Sequence, residues 1–374
     1  MAGALDGIRI ADFSRVLAGP YATMLFGDLG AQVFKVERPA LGDDTRQWGP
    51  PYDPHGVATY YDSVNRNKHS LLLDLRSEAG RRDALALIRS CDVLVENFVP
   101  GTMERFGLGY EELAAEQPAL IYASISGFGR TAEAALMPGY DLLVQAVGGL
   151  MSITGANPQS PTKVGVAVID VITGLHCAFG VLAALRHRDA TGEGQRVDVT
   201  LLGSSLSGLV NQTGAFVGAG VVPRAMGNAH PSIAPYEVFD TADRALALAV
   251  GNDGQFRACV NALGLVGLAD DARFTTNPLR VANREALREA LQAVLRGQGA
   301  DHWTRAFTAV GVPCGPVNGM DEAFALAERL GLASVAVAGG VRTVAHPVQF
   351  SRTPATYRLA PPALGDTDIA AALP

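Results

Sequence analysis

Short apolar runs recur along the first 125 residues with helical segments between them, and this alternation constrains the fold more than any other feature. Because parallel strands need a crossover connection, which is usually a helix, the alternation predicts a mostly parallel, Rossmann-like α/β sheet. Pro20 suits the first turn of one helix, and Ser77 suits the N-cap of another. The predicted strands are Ile8–Ala11, Gln32–Glu37, Ser70–Asp74, Val93–Glu96 and Leu120–Ile125.

A second pattern begins near Gly218. Tyr236–Asp240 and Arg244–Val250 flank a short polar turn, which predicts an antiparallel hairpin. Helices are expected to follow this hairpin at about residues 254–263 and 283–295. Strands and helices in this order predict a smaller α+β domain. The expected divisions are a large α/β domain at 1–219, the smaller domain at 220–325, and a return to the large domain at 326–374.

Composition and charge exclude several classes of function. The net charge is -7 and basic residues form no long run, so nucleic acid is not an expected partner. The Met1–Asp6 start has neither a basic region nor an apolar one, and no apolar run approaches the ~18 residues of a membrane span. The four cysteines form no CxxC pair, which favours the cytoplasm and argues against a metal site.

Gly127–Ala132 follows a predicted strand and has the glycine spacing of a dinucleotide-binding loop. However, a proline-containing stretch follows it instead of a long helix, and no acidic residue stands about 20 positions further on. We therefore expect neither a nicotinamide nor a flavin cofactor.

A single carboxylate, Asp170, stands between the apolar run 164–169 and an alanine-rich helix that continues to Leu185. Asp170 is expected at the N-cap or in the first turn of that helix, where the unpaired N–H groups and the helix dipole favour its ionised form. One interpretation is that Asp170 is only a helix cap, since Asp is a preferred N-cap residue. The other is that Asp170 is a carboxylate nucleophile at the edge of a pocket.

Cationic residues follow several predicted strands. Ligands of open α/β sheets bind beyond the carboxyl ends of the strands, so these loops are candidates for a binding site. Guanidinium groups near aromatic and amide side chains suit a polyanion that carries an aromatic base, although most loop arginines are simply solvated. The residues are Arg15, Arg38, Arg46, Arg66, Lys68, Arg76 and Arg105, interleaved with Gly19, Asn97, Phe98 and Tyr140.

Four stretches form a combination that is specific: Arg15–Pro20, Gly27–Arg38, Asn65–Lys68 and Val95–Gly101. In these stretches the chain resembles the family III CoA-transferases, also called the CaiB/BaiF family, which include formyl-CoA transferase, carnitine CoA-transferase and the 2-methylacyl-CoA racemases. The resemblance implies a large α/β domain, a small domain, and a homodimer whose two chains interlock. It implies that coenzyme A is a co-substrate and that Asp170 is the nucleophile. It also implies a CoA site formed by Val16, Ala18, Arg38, Leu73, Arg76, Asn97, Phe98, Arg105, Met137 and Tyr140.

Two departures separate this chain from better-defined members of the family. Leu17 replaces a glutamine of formyl-CoA transferase, and the multi-glycine loop of that enzyme is missing, which argues against formyl or oxalyl chemistry. Tyr140 replaces the histidine of the racemases, so the histidine–aspartate pair of those enzymes is broken.

Further stretches resemble the succinate–hydroxymethylglutarate CoA-transferase subgroup, which implies short dicarboxylates as acyl groups. These stretches are Gly42–Arg46, Trp48–Pro51, Tyr60, Ser63–Lys68, Gly227–Tyr236 and Gly311–Pro316. The second carboxylate of such a substrate needs a cationic or hydrogen-bonding partner. Candidates for this role are Arg46, His230, Ser232 and Tyr236, although the loop at 227–236 could merely link the domains.

The resemblance implies transfer of CoA between an acyl-CoA, such as succinyl-CoA, and a free carboxylic acid. Asp170 would form an aspartyl-acyl anhydride and then an aspartyl-CoA thioester, with no metal. Two alternatives remain open at this point. A racemase or epimerase would need a second acid or base across the substrate α-carbon, for which Asp141 and His230 are candidates without support from spacing. A non-catalytic acyl-CoA-binding protein would use Asp170 only as a cap.

Overall fold

The computed structural model describes residues 3–374. The strands are β1 (Arg9–Asp12), β2 (Gln32–Glu37), β3 (Lys68–Leu72), β4 (Val93–Glu96), β5 (Ile121–Ser126), β6 (Arg196–Thr200), β7 (Tyr236–Asp240), β8 (Ala245–Ala249), β9 (Cys314–Pro316), β10 (Val335–Ala338) and β11 (Val341–Val344). Strands β1–β6 form one parallel sheet in the order β3-β2-β1-β4-β5-β6. The predicted mixed α/β fold with a parallel sheet is thus confirmed.

Helices connect and flank these strands. Short 3₁₀ turns also form at Asp44–Gln47, Ala134–Leu136 and Val266–Ala269. The helices are α1 (Ala18–Asp28), α2 (Thr59–Asp62), α3 (Glu78–Arg89), α4 (Thr102–Arg105), α5 (Tyr110–Glu116), α6 (Asp141–Val147), α7 (Leu150–Ile153), α8 (Val168–Thr191), α9 (Leu201–Gly208), α10 (Val210–Ala219), α11 (Asp253–Ala262), α12 (Asn277–Ala282), α13 (Arg284–Leu295), α14 (Ala300–Ala309), α15 (Met320–Arg329) and α16 (Ile369–Ala372).

The strand order reverses between β1 and β4, because β2 and β3 extend from one side of β1 while β4, β5 and β6 extend from the other. Such a reversal leaves a crevice beyond the carboxyl ends of the two central strands, where ligands of open α/β sheets bind. The register pairs Ile10 of β1 with both Val33 and Val93. The loops that leave β1 and β4 therefore begin side by side.

The long helix α8 packs against α1 and α9. Its contact with α1 requires Gly174, because a Cβ atom there would lie 2.6 Å from the backbone oxygen of Ala18. By length and composition alone, α8 could cross a membrane, although the sequence predicted no span; buried core helices of soluble proteins also meet this criterion. Its close packing is what fixes the start of α8 beside the loop that precedes α1.

The chain divides into two compact units, the first of which comprises Met1–Leu150, Lys163–Val222 and Leu332–Pro374. The second comprises Met151–Thr162 and Pro223–Gly331. The sequence placed its smaller domain at 220–325, without residues 151–162. Those residues belong to the second unit through backbone bonds, since Ser152 O accepts from Ala225 N and Gly155 O accepts from Gly227 N.

The second unit is built on the antiparallel sheet β7-β8-β9. Leu287, Leu291 and Leu295 of α13 are buried, as the periodicity predicted, and they join Phe239 of β7 in one apolar core. Sequence patterning did not identify β9, which is only three residues long and ends in proline. It also missed α14 and α15, which follow α13 in the chain.

Candidate active site

A cavity of about 290 Å³ lies beyond the carboxyl ends of β1, β4 and β5 in the first unit. Its position is the one that the reversal of strand order predicts. Its walls combine apolar side chains, backbone and a few polar groups, as is usual for ligand sites. The lining residues are Arg15, Val16, Leu17, Ala18, Asp44, Asn97, Phe98, Val99, Pro100, Ile125, Ser126, Gly127, Met137, Pro138, Gly139, Tyr140, Asp170 and Leu201.

The loops after β1 and β4 are joined by a reciprocal pair of hydrogen bonds. Arg15 N donates to Asn97 Oδ1 at 2.9 Å, and Asn97 Nδ2 donates to Arg15 O at 2.7 Å. The Arg15 guanidinium lies 4.7 Å from the centre of the Phe98 ring, a cation–π distance. Arg15 and Phe98 therefore present a planar cation and an aromatic ring at the same wall of the cavity.

Glu96 lies at the end of β4 and is almost fully buried. Burial raises the pKa of its carboxyl to about 7, although Glu96 Oε2 accepts a 2.8 Å bond from Phe98 N. Glu96 thus holds the backbone of the loop that carries Asn97 and Phe98.

Val16 has a positive φ of 71°, which is unusual for a β-branched residue and is strained. Its N–H is held by the carboxylate of Asp43, at 3.3 Å from Oδ1 and 3.2 Å from Oδ2. Asp43 in turn accepts a 2.8 Å bond from Lys35 Nζ, and both side chains are fully buried. A buried ion pair therefore maintains the backbone conformation of the loop that lines the cavity.

A second buried pair, Lys68 with Asp12, lies in the same ionic cluster, which we define as Asp12, Lys35, Asp43 and Lys68. Burial alone would raise the pKa of Asp43, but the charge and hydrogen bond of Lys35, together with the hydrogen bonds from Thr45, outweigh this effect and hold the pKa at about 2. For Lys68, burial outweighs the attraction of Asp12 and lowers the pKa to about 8. Each carboxylate of the cluster thus has a cation in direct contact.

The wall formed by residues 137–140 lies against the end of β5. A Cβ atom at Gly127 would be 2.6 Å from Gly139 Cα, and one at Gly139 would be 2.7 Å from Gly127 Cα. Two glycines thus allow a backbone-to-backbone contact that any side chain would prevent. This contact places Met137 and Tyr140, which are 42% and 63% exposed, at the cavity.

Asp170 lies in the first turn of α8, and its half-buried side chain borders the cavity. The N-cap is Ala167. The Asp170 side chain makes no capping hydrogen bond within residues 3–374, which argues against the interpretation that Asp170 is only a cap. Within residues 3–374, no hydrogen bond or ion pair of the Asp170 carboxyl is found. Burial, and then the negative charge of Asp141, raise the pKa of Asp170 to about 7.

Asp141, the first residue of α6, caps α8 from outside. Its Oδ1 accepts from Ile169 N at 2.9 Å and from Asp170 N at 3.3 Å. Gln145, one turn further along α6, donates from Nε2 to Asp141 Oδ2 at 2.6 Å and accepts from Val164 N at 2.9 Å. From the sequence alone, Asp141 is only a candidate acid of a racemase, because nothing local in the sequence shows that α6 meets the start of α8.

Tyr60 of α2 belongs to the same electrostatic environment. Burial, and then the negative charges of Asp170 and Asp141, raise the pKa of its phenol to about 12. Its ring packs edge-on against Trp48, with ring centres 5.6 Å apart. Tyr60 therefore carries a neutral hydroxyl beside two carboxylates at neutral pH.

The structure separates the ten residues expected at a CoA site into two groups. Those that line the cavity are Val16, Ala18, Asn97, Phe98, Met137 and Tyr140. Leu73 is instead buried in the apolar core of the first unit, and Arg38 forms an ion pair with Asp44 at the cavity wall. Arg76 and Arg105 are exposed, with Arg105 bonded to Thr102.

The four residues expected to contact a distal carboxylate are not equivalent. Arg46 is bound to Glu37 at 2.6 Å and 2.8 Å and donates to Pro362 O, so its guanidinium already has partners. His230, Ser232 and Tyr236 belong to the second unit. There, His230 Nδ1 accepts from Ser232 N at 3.1 Å, and the rings of His230 and Tyr236 lie 5.3 Å apart.

Comparison with known proteins places these features in context. Residues 5–368 match CoA-transferase family III. The chain is 43% identical to the succinate–glutarate CoA-transferase of Agrobacterium fabrum, over 97% of this chain and 93% of that protein. It is 42% identical to the human succinyl-CoA:glutarate CoA-transferase, over 86% of this chain and 73% of that protein.

A solved structure has the same fold. The crystal structure of a CaiB/BaiF family protein from Brucella suis superimposes with a TM-score of 0.88 at 40% identity, covering 98% of this chain and 97% of that one. The similarity therefore extends over both units and is not confined to the sheet.

Proposed function

This chain belongs to CoA-transferase family III, and from that premise we propose that it moves CoA between a short dicarboxylyl-CoA, such as succinyl-CoA, and a free dicarboxylic acid. CoA is the co-substrate of CoA-transferases. The acyl groups are inferred from relatives whose names specify succinate and glutarate. The six cavity residues expected at a CoA site, together with Arg38, Leu73, Arg76 and Arg105 around it, form the proposed CoA site.

One observation supports Asp170 as the nucleophile above the others. Asp170 borders the cavity, and its carboxyl group makes no hydrogen bond or ion pair within residues 3–374. A carboxylate without a cation is more basic, and therefore a better nucleophile, than one held in an ion pair. A carboxylate also suits this reaction because its acyl adduct is an activated anhydride.

The proposed reaction proceeds through covalent adducts of Asp170. Its carboxylate oxygen attacks the thioester carbonyl, the carbon–sulfur bond breaks, and CoA leaves as the thiolate. The thiolate then attacks the aspartyl carbonyl of the anhydride, which releases the donor acid as its carboxylate and leaves an aspartyl-CoA thioester. The acceptor carboxylate reverses these two steps and leaves as the new acyl-CoA.

The distal carboxylate of the substrate needs its own partner. Because Arg46 is already paired with Glu37, we assign this role to His230, Ser232 and Tyr236. A site built to hold a second carboxylate rejects an uncharged analogue, since its own polar groups would remain unpaired.

We also propose that the protein is a homodimer in the cytoplasm. Phe216 and Val217 of α10 and Phe179 of α8 are 57%, 84% and 74% exposed, and such large exposed apolar side chains favour a protein interface. They support the interlocked homodimer that the resemblance implies. The free, separated cysteines support a cytoplasmic enzyme. We also propose that the enzyme uses no metal, nicotinamide or flavin.

A competition assay tests the acyl preference. Purified protein is incubated with glutarate and an equimolar mixture of succinyl-CoA and butyryl-CoA, and each CoA ester is quantified by chromatography. We expect succinyl-CoA to be the better donor by a factor of about a hundred or more in kcat/KM. Equal use of the two donors would contradict the dicarboxylate assignment but not CoA transfer itself.

The racemase alternative predicts a different signal. Tyr140 lines the cavity and stands at the position that the resemblance gives to the histidine of the racemases. We therefore expect no exchange of the α-proton when 2-methylacyl-CoA is incubated with the protein in deuterated water. Rapid uptake of one deuterium per molecule, read by mass spectrometry, would favour the racemase.

A further inference from the structure

We propose that Asp141 is a positioning residue for the nucleophile: it occupies the free N–H groups at the start of α8 and sets a second negative charge beside Asp170, which keeps the Asp170 carboxylate reactive. This inference rests on the proposed function, because it concerns how Asp170 is prepared to attack a thioester. Nothing in the comparisons assigns a role to Asp141.

The hydrogen-bond donors at the start of α8 are bound by Asp141 and not by Asp170. A helix begins with N–H groups that have no partner inside the helix, and a carboxylate in the first turn would ordinarily be stabilised by them. At the start of α8, Asp141 Oδ1 accepts from the N–H groups of Ile169 and Asp170, at 2.9 Å and 3.3 Å. These donors are therefore unavailable to the Asp170 side chain, which is left without a hydrogen bond inside the described chain.

Asp141 is held in place by Gln145. Its other oxygen accepts a 2.6 Å bond from Nε2 of Gln145, whose side chain is only 1% exposed. Gln145 also accepts from Val164 N at 2.9 Å and donates to Val166 O at 3.3 Å. One buried amide thus fixes Asp141 and the segment that leads into α8, so that the carboxylates of Asp141 and Asp170 are held close together.

The negative charge of Asp141 also acts on Asp170. The titratable groups that face Asp170 are Asp141 from α6 and Tyr60 from α2. The same cavity is also lined by Arg15, Asp44 and Tyr140. Burial and the charge of Asp141 raise the pKa of Asp170 to about 7, so the ionised nucleophile is destabilised relative to a neutral form.

Acylation removes the charge that Asp141 opposes. When Asp170 forms the anhydride, its carboxylate becomes neutral and the negative charge passes to the CoA thiolate. When the thioester then forms, that charge leaves with the donor carboxylate. Repulsion between the two carboxylates is present before the reaction and absent from the covalent adduct. Asp141 therefore shifts the equilibrium toward the adduct, and a change of one pKa unit corresponds to about a tenfold change in that equilibrium.

The test uses Asp141→Asn, which keeps an oxygen that can accept from the α8 N–H groups but removes the charge. Asp141→Ser serves the same purpose if the first variant does not fold, because serine is also a preferred capping residue. The matched control is Asp321→Asn, which changes an exposed first-turn aspartate of α15. For each protein, kcat and KM for succinyl-CoA with glutarate are measured from pH 5 to 9. The covalent adduct is quantified by intact mass after an acid quench, and the melting temperature is recorded.

We expect the acid limb of the kcat profile of Asp141→Asn to move to lower pH by about one unit. The adduct fraction should fall about three- to tenfold, with KM within about twofold of the wild type. The control should match the wild type in all three. An equal loss of activity at every pH, or an acid limb that does not move, would overturn the inference. If the wild type forms no covalent adduct at all, the proposed function itself fails.

Discussion

Two groups of carboxylates in the first unit are buried in opposite electrostatic environments. In the ionic cluster, Asp43 is fully buried against Lys35 at 2.8 Å, and its pKa is held at about 2. At the start of α8, no cation of the described chain contacts Asp170, and burial together with Asp141 raises its pKa to about 7. An aspartate side chain is thus a stabilised anion in the ionic cluster and a destabilised anion at the start of α8.

The difference indicates what each carboxylate does. An anion stabilised by a buried ammonium group is a poor nucleophile but a strong structural element, and Asp43 holds the backbone of Val16. An anion raised in free energy is ready to react, and it contributes no stability to the fold. Positioning and reactivity are therefore separated between two aspartates that serve the same cavity.

The largest expected effect is on activity at Asp170. Asp170→Asn removes the nucleophile, so CoA exchange should fall by a factor of about 10⁴ or more, as in enzymes that lose a covalent catalytic group. Because the folded pKa of Asp170 is raised, a neutral side chain is tolerated there better than the anion. At pH 8 the melting temperature should therefore equal or exceed that of the wild type. Substantial CoA exchange by this variant would contradict the assignment of Asp170 as the reactive carboxylate.

Asp43→Asn should mainly reduce stability, whereas Asp170→Asn should mainly reduce activity. It leaves Lys35 buried without its anion, and breaking a buried ion pair destabilises a protein by about 3–5 kcal/mol. Urea denaturation measures the free energy of unfolding, with Asp189→Asn, an exposed aspartate near the end of α8, as the control. A loss below about 1 kcal/mol would show that the cluster does not carry the stability assigned to it.

The pH dependence should separate the two groups. Asp43 has a folded pKa of about 2, below the ordinary value of 3.8, so its contribution to stability is present above pH 4 and is lost as the pH falls toward 2. Asp170 must be ionised to react, so activity should fall about tenfold per pH unit below pH 7. Circular dichroism and kcat, measured on the same samples, should lose signal in different pH ranges. Coincident losses would contradict the separation.

The smallest expected effect is at the cavity wall. Arg38→Ala leaves Asp44 without its ion-pair partner beside the cavity, which adds an uncompensated negative charge near the proposed CoA site. We expect KM for succinyl-CoA to rise several-fold with kcat little changed, since this contact is remote from the reacting atoms. A large fall in kcat at constant KM would place Arg38 at the chemistry instead.

The sequence predicted the parallel sheet because its strands are separated by helices with local start signals, such as Ser77, whose hydroxyl caps α3. It also predicted Asp170 near the start of a helix. It did not predict the cap from Asp141, which is 29 residues away from Asp170 in the chain. The end of α9 at Gly208 and the start of α10 at Val210, which has a φ of 33°, also have no local signal in the sequence. The cap from Asp141 depends on a tertiary contact, which leaves no local pattern.

The close approach of Gly127 and Gly139 has a consequence for how the pocket can be diversified. Because a Cβ atom at either glycine would lie within 2.7 Å of the backbone Cα of the other, neither position can accept a side chain, and a library that varies either of them should yield mostly inactive clones. The neighbouring Met137 and Tyr140 are exposed at the cavity and carry no such restriction. Substitutions of Met137 and Tyr140 can therefore alter the surface of the cavity, while the glycine pair keeps the backbone of this wall in place.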